Sequence, residues 1–398
     1  RPTPLVSTQG VPGRDEFSLD PAQRHLNHGS YGAVPTRTIG YRADLTARLE
    51  ANPFRWFEDL PAQHAAVRAA LSPFVGAPHD EIAMVSNASA AASAIFASLP
   101  LAPGDEVVLT DHIYGAVAMG AARHARQWGA TIRVARVPLD AQDAESLDAI
   151  LAEVTDRTRL VIVDHISSAT ARRFPVDALV AALADRGIVV AIDGAHALGT
   201  LPAAAVRAPH VVWFGNAHKY PCAPRGAAVL VAQGELAQTL VPVIDSWGAE
   251  LPFPERFDLQ GAIDTTGFLS AAHAIDTLET HFGWERIRRH SAELGAWAAQ
   301  QIGLALGQFM DDDPIPDVGM PCAAQPLLRL PAGVASDPTR ARALKDTLAQ
   351  EARCEVGVSC WNGSGFIRIS AHVYNEAADY EHFIEHGVPV IARLAAAV

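Results

Sequence analysis

The chain has 398 residues, 49% of them hydrophobic, with 29 glycines and 27 prolines, a profile that excludes disordered and fibrous proteins and allows one large core with a smaller companion. Its formal charge of −13 argues against nucleic acid or an anionic membrane as the main partner. No apolar run is long enough to span a bilayer, the first seven residues lack the apolar core of a secretory signal, and the chain begins on Arg1, so a trimmed leader ahead of it is compatible with the sequence.

In chain order, a turn rich in side-chain donors, Asn27-His28-Gly29-Ser30-Tyr31-Gly32, follows the N-terminal arm. It either lines a substrate pocket or orders the N-terminus. From residue 81 onward, short β-branched runs alternate with Ala-rich stretches. The pattern predicts strands over 81–86, 106–110, 131–137, 159–164, 188–193, 210–215 and 226–232. Helices are expected over 88–99, 114–128, 144–154 and 175–186. Runs such as Leu160-Val161-Ile162-Val163 are apolar throughout, as strands covered on both faces must be. This βαβ rhythm implies an α/β protein with a mostly parallel sheet and helices on both faces. After residue 268 a long helical stretch, broken near Phe282-Gly283, leads through a Pro/Asp-rich loop to a smaller α+β segment ending in a strand over 365–370 and a final helix. The expected domains are an arm over 1–25, a large domain over 26–268 and a small one over 269–398 completed by the N-terminal segment.

Ligands of parallel α/β folds gather at the carboxyl ends of the strands, and the chemistry-bearing residues cluster there. Only two of the 31 basic residues are lysines. Lys345 lies in a stretch read as a surface helix, whereas Lys219 follows the apolar run ending Trp213-Phe214-Gly215-Asn216-Ala217-His218. A lysine amine can shed its proton and bond to a carbonyl carbon, which arginine cannot do. A lysine left over from arginine-biased composition is the plain alternative. Asp193, closing the apolar strand before Gly194-Ala195-His196, suits contact with a cationic ring nitrogen or a helix N-cap. Lys219 and Asp193 at adjacent strand ends together suggest a pyridoxal phosphate site.

Ser86-Asn87-Ala88-Ser89-Ala90 joins a strand to a helix through small side chains, which lets backbone N–H groups approach an anion. With Asn216 and His218 it forms a candidate phosphate cradle. Tyr114 is placed to stack on a flat cofactor or simply to pack. Ser168 and Thr170 are candidates for the cofactor's phenolic oxygen. Arg368, inside the last strand, suits a bidentate grip on a carboxylate or a structural salt bridge. Cys222, Cys322, Cys354 and Cys360 form no CxxC pair, which points to reduced thiols in a cytoplasmic protein, and no metal is called for.

Taken together, Leu26-Asn27-His28-Gly29-Ser30-Tyr31-Gly32, Asp193-Gly194-Ala195-His196 and Gly215-Asn216-Ala217-His218-Lys219 resemble the isopenicillin N epimerase-like branch of the class V aminotransferase and cysteine desulfurase superfamily. Asp164-His165-Ile166-Ser167-Ser168 and Arg368-Ile369-Ser370 extend the likeness more weakly. The resemblance implies a fold type I pyridoxal 5′-phosphate enzyme with a seven-stranded sheet, acting at Cα of an amino acid through an external aldimine and a quinonoid. It implies Lys219 as the aldehyde-binding residue, Asp193 at the ring nitrogen, His196 beside the ring and Tyr114 stacked on it. Asn87, Ala88, Ser89, Asn216 and His218 would surround the phosphate, and Ser168 would also touch the cofactor. Arg368 would hold the substrate carboxylate, with His28, Ser30 and Tyr31 nearby, in a homodimer whose site lies at the subunit interface.

Two departures stand out. Ala169-Thr170-Ala171 precedes Arg172-Arg173 where the family carries Pro-Thr-Gly, so those arginines either read an acidic or hydroxylated substrate or are solvated. Ala262 replaces a phosphate-binding threonine, leaving Gln260 or Thr265 as substitutes. Epimerisation, requiring a second acid among His28, Tyr31, His112 and His165, or oxygen-dependent oxidative decarboxylation or deamination in specialised (antibiotic) metabolism is the expected chemistry. Lyase, aminotransferase and catalytically silent binding readings remain as alternatives. A desulfurase is disfavoured, because no cysteine lies on a loop suited to accept sulfur.

Overall fold

A computed structural model describes residues 1–397. In chain order the strands are β1 (Arg24–His25), β2 (Ile82–Val85), β3 (Glu106–Thr110), β4 (Thr131–Ala135), β5 (Thr158–Asp164), β6 (Val189–Asp193), β7 (Val211–Asn216) and β8 (Ala228–Ala232). They are followed by β9 (Leu327–Arg329), β10 (Cys354–Glu355), β11 (Gly357–Trp361) and β12 (Ser364–Arg368). Two compact units result. One comprises residues 37–167 and 173–276; the other comprises residues 1–36, 168–172 and 277–398. The boundaries drawn from sequence at 25/26 and 268/269 therefore move. Leu26 is fully buried in the second unit's core, and Ser370 N–H donates to its carbonyl at 2.8 Å.

The first unit is built on a seven-stranded sheet of order β2-β8-β7-β6-β5-β3-β4. All pairings are parallel except those of β8, which runs antiparallel to both β2 and β7. Every residue of β2, β3, β7 and β8 is buried, which explains why their sequences are apolar apart from Glu106, Thr110 and Asn216 at strand ends: both faces are covered, leaving no solvent side to encode. The edge strand β4 is the contrast, largely exposed and carrying Arg133 paired to Glu153 at 2.8 Å. Register matters most in the middle of the sheet, where Asp164 pairs with Asp193 and Asp193 with Phe214 as Cα partners. All seven expected strands are present, displaced by a residue or two at their ends.

β7 and β8 are antiparallel neighbours joined by residues 217–227, a long connection folded back on itself. Ala217 and His218 both donate backbone N–H to Ala227 O, at 3.0 and 3.3 Å, and Ala223 N–H closes onto Ala217 O at 2.9 Å. Lys219 is thus fixed within a closed backbone turn.

The second unit pairs the antiparallel sheet β11-β12-β9 with the helices Trp284–Leu306, Pro338–Glu351 and Val388–Ala395. The helical stretch expected after residue 268 is interrupted at Phe282 and Gly283, between Ala271–His281 and Trp284–Leu306; Gly283 sits at φ +76°, which favours glycine. The N-terminal segment joins this unit through the parallel β1–β10 pair. Among the described residues no helix is long and apolar enough to cross a membrane.

One packing constraint lies directly beneath the strand ends. The fully buried Trp213 indole fills the space where a side chain on Gly194 or Gly215 would stand: a Cβ would meet the ring at 2.2 Å from Gly194 and 2.5 Å from Gly215. Neither backbone can retreat, since both residues follow or end central strands. Gly194→Ala is expected to destabilise the protein by about 1–3 kcal/mol through overpacking, read as a lowered thermal midpoint. A variant melting with the wild type would show that the indole yields.

Candidate active site

In the first unit, Lys219 is nine-tenths buried and its Nζ lies 2.9 Å from His196 Nε2. With the amine as ammonium it donates, and His196 must carry its ring proton on Nδ1. His196 follows β6 through the tight turn Asp193-Gly194-Ala195, in which Asp193 Oδ1 accepts the Ala195 N–H at 2.9 Å. Tyr114 caps the start of the helix Gly115–Trp128, with its ring centroid 6.0 Å from Lys219 Nζ. Lys219, Asp193, His196 and Tyr114 are therefore gathered at one end of the sheet.

Electrostatics follow from dryness. Burial raises the Asp193 carboxyl above the usual range, opposed by the Ala195 N–H and the Lys219 charge. Asp164, in register with it on β5, is raised well above that range by burial and by the Asp193 charge; N–H groups including that of Tyr114, and Lys219, oppose the shift. The sequence reading gave Asp164 no role, and only its strand-terminal position beside Asp193 could have drawn attention to it. Burial also pushes His218 down to about 4, helped by the charges of Lys219 and Arg225. His165, driven mainly by burial, falls to about 4 as well.

The helix Ala88–Ser98 starts at Asn87, whose Oδ1 accepts the Ala90 N–H at 2.9 Å. Ala88 N–H donates to Asn216 Oδ1 at 2.9 Å, so this donor is engaged by a side chain that was itself expected at the phosphate. The bond ties the helix start to the end of β7. Ser89 and Asn87 are exposed at that helix end. His218 Nδ1 is buried without a hydrogen-bond partner. Gln260 Nε2 donates to Phe257 O at 2.8 Å, whereas Thr265 Oγ1 is buried without a partner. Of the two substitutes for the threonine missing at Ala262, Thr265 has the available hydroxyl.

Two proposed second acids lie in this unit and both are engaged. His112 Nε2 is 2.7 Å from Val137 O, and His165 Nδ1 accepts the Trp213 indole N–H at 3.3 Å. Cys222 is fully buried, and burial raises its thiol well above the usual range, consistent with an inert side chain.

In the second unit, Arg368 is buried on β12, and its guanidinium donates to neutral oxygens: the Ser168 carbonyl, Ser168 Oγ at 3.2 Å, Asn27 Oδ1 at 3.1 Å and Ser30 Oγ at 3.3 Å. Ser30 Oγ also donates to Asn27 Oδ1 at 2.9 Å. His28 is fully buried, with Nδ1 2.9 Å from Tyr374 Oη and its ring stacked on His372 at 4.1 Å. Tyr31 is exposed. Ser168 and Thr170, expected at the cofactor, belong to this unit, and Ser168 serves Arg368. Arg172 is wholly buried here, so it is not solvated, whereas Arg173, in the first unit, is exposed.

A model of the class-V aminotransferase family matches residues 41–310. The chain belongs to the class-V aminotransferase family. It is 28% identical over 401 residues to isopenicillin N epimerase of Amycolatopsis lactamdurans, an alignment covering 96% of this chain and 98% of that protein. It is 26% identical over 422 residues to a putative L-cysteine desulfhydrase of Oryza sativa subsp. japonica, covering 96% and 86%. Among solved structures, a C-DES mutant with glycine covalently linked to the PLP cofactor superimposes with a TM-score of 0.76 at 19% identity, covering 97% and 99%. The mostly parallel seven-stranded sheet of this chain, with its flanking helices, is that expected of the fold type I α/β class.

The neutral histidines carry a pH consequence. His165 and His218 have native values of about 4 against 6.5 for an ordinary histidine, so the unfolded chain binds more protons between those limits. Stability therefore falls as the pH drops from 6.5 toward 4, by roughly 3 kcal/mol for each such residue. His165→Gln keeps an acceptor for Trp213 while removing the titration, so denaturant unfolding across that range should show a shallower loss. An unchanged pH slope would contradict the assignment for His165.

Proposed function

We propose that the protein is a pyridoxal 5′-phosphate enzyme that inverts Cα of an amino-acid substrate. The cofactor assignment is carried by the buried Lys219 amine, 2.9 Å from His196, with Asp193 ending the neighbouring strand. The residues present fit the group chemically. An amine is available for the aldehyde and a carboxyl for the ring nitrogen. The helix start at Ala88–Ser98, with a buried, neutral and unpartnered His218 Nδ1, suits the phosphate. When bound, the cofactor supplies an electron sink for the pair left at Cα.

The chain's own groups then do the rest. Lys219 takes the Cα proton through Nζ, and His196 Nε2, hydrogen-bonded to that atom, orients the amine. Asp193 would hold a negative charge toward the ring nitrogen, and Tyr114 would lie against the ring. Arg368, its fork oriented by Ser168, Asn27 and Ser30, is assigned the substrate carboxylate. Inversion needs a proton delivered from the face opposite Lys219. The candidates for this second acid are Tyr31, which is exposed, and His28, His112 and His165, which are hydrogen-bonded within their own units. Inversion is the reaction named for the isopenicillin N epimerase relative at 28% identity, and a desulfhydrase is the name of the relative at 26% over a similar length. A persulfide route is disfavoured because Cys222, Cys322 and Cys354 are buried, and the half-buried Cys360 sits on strand β11 rather than a loop, with its Sγ donating to Ser336 O at 3.1 Å. We also infer a homodimer, on the family's habit alone.

Amino acids, isopenicillin N among them, incubated with the holoprotein in deuterated water should gain deuterium at Cα with inversion. Lys219→Ala should abolish the near-visible absorbance of the lysine-bound cofactor and slow exchange by about a hundred- to ten-thousand-fold, the span of a lost general base. Arg368→Lys should raise KM about tenfold or more with a smaller effect on kcat, as expected for one lost charged hydrogen bond. Ammonia release or oxygen uptake without inversion would select the lyase or oxidative branch instead.

A further inference from the structure

We propose that Asp164 is a positioning residue for the ring nitrogen of the cofactor: a carboxylic acid that keeps its proton beside the Asp193 carboxylate, so that the pair presents a single negative charge. The inference rests on the reading of Asp193 as the partner of that nitrogen, and it concerns a residue with no other task in the mechanism.

Geometry makes the pair. Asp164 and Asp193 are the last residues of β5 and β6 and are Cα partners in a parallel ladder. Neighbouring strands lie about 4.8 Å apart, and partnered residues project to the same face. Both side chains are almost wholly buried, at 2% and 3% exposure. Their surroundings are unequal. Asp193 Oδ1 takes the Ala195 N–H, whereas Asp164 Oδ2 is shut off from solvent with no hydrogen-bond partner. A lone oxygen in a dry site is the poorest place for an ionic charge and a suitable place for a proton.

Two carboxylates side by side in a low-dielectric site cannot both ionise, so one keeps its proton. The groups facing Asp164 decide which. From β6 comes the Asp193 charge, from the β7–β8 loop Lys219, and from the end of β3 the Tyr114 N–H, while His165, next on its own strand, is turned to Trp213. Lys219 acts on both carboxyls, so it does not discriminate. The Ala195 N–H favours ionised Asp193, whereas the Tyr114 N–H and the N–H of Asp164 itself favour ionised Asp164; burial, the unpartnered Oδ2 and the Asp193 charge outweigh these and hold Asp164 neutral.

The benefit falls on the nitrogen. Were Asp164 ionised, its repulsion would push the proton onto Asp193 and remove the charge that the ring needs. As an acid it leaves Asp193 ionised, and its proton lowers the basicity of that carboxylate, so the ring nitrogen retains its own.

Infrared difference spectra in light and heavy water provide the test, because a protonated carboxyl has a carbonyl stretch apart from that of carboxylates and amides and shifts on deuteration. Wild-type protein at neutral pH, with and without pyridoxal phosphate, should show one such buried band, and Asp164→Asn should lose it. The visible absorbance of the holoprotein should change in an alkaline step as Asp164 ionises, and the Asn variant should lack that step. A wild-type spectrum without the band overturns the proposal however the variant folds, as does a band surviving in Asp164→Asn. Should the cofactor reading itself fail, with Lys219→Ala keeping the near-visible band, the infrared result from the cofactor-free protein still reports separately on the pair.

Discussion

Everything at the carboxyl end of the central sheet depends on holding one amine and two carboxyls out of water at the ends of neighbouring strands. Charged groups are costly to bury, and each must be matched by a partner or lose its charge. Lys219 meets this cost with His196 and with two carboxyls whose ionisation its charge favours. The sheet supplies the placement. Parallel register brings Asp164 beside Asp193, and the antiparallel return of β8 closes the loop that carries Lys219. Reactivity here is a property of strand order more than of any one side chain.

A second demand is that nothing crowd those strand ends. Trp213 occupies the space above Gly194 and Gly215, and its indole N–H is spent on His165, which burial keeps neutral. The glycines are therefore required by a neighbouring ring, and the ring is held by a histidine that cannot readily take up a proton. The same dryness that keeps His218 neutral ties the stability of the protein to pH below 6.5. In the second unit Arg368 donates to the neutral oxygens of Ser168, Asn27 and Ser30, which fix the direction of its fork.

The strands were legible because burial on both faces leaves an unbroken apolar code, and Lys219 was legible because the chain otherwise uses arginine. Asp193 followed from its position at the end of such a strand. Other features carried no local signal. Asp164 reads as one more polar residue after a strand until the register sets it against Asp193. Ala88 N–H was expected to face an anion, and its donation to Asn216, 128 positions away, depends on two strand ends meeting. Arg172, read either as a substrate contact or as a solvated cation, is wholly buried, while Ser168 serves Arg368, 200 positions later.

By itself the sequence determined which residue types stand at which strand ends, since hydrophobic periodicity is local and the chemistry of an amine or a carboxyl belongs to the residue. Tertiary structure alone decided which of those groups face one another and which are dry. Pairing order and register are set by packing over the whole sheet, and charge state follows from burial and neighbours, neither of which is written in any short stretch of the chain.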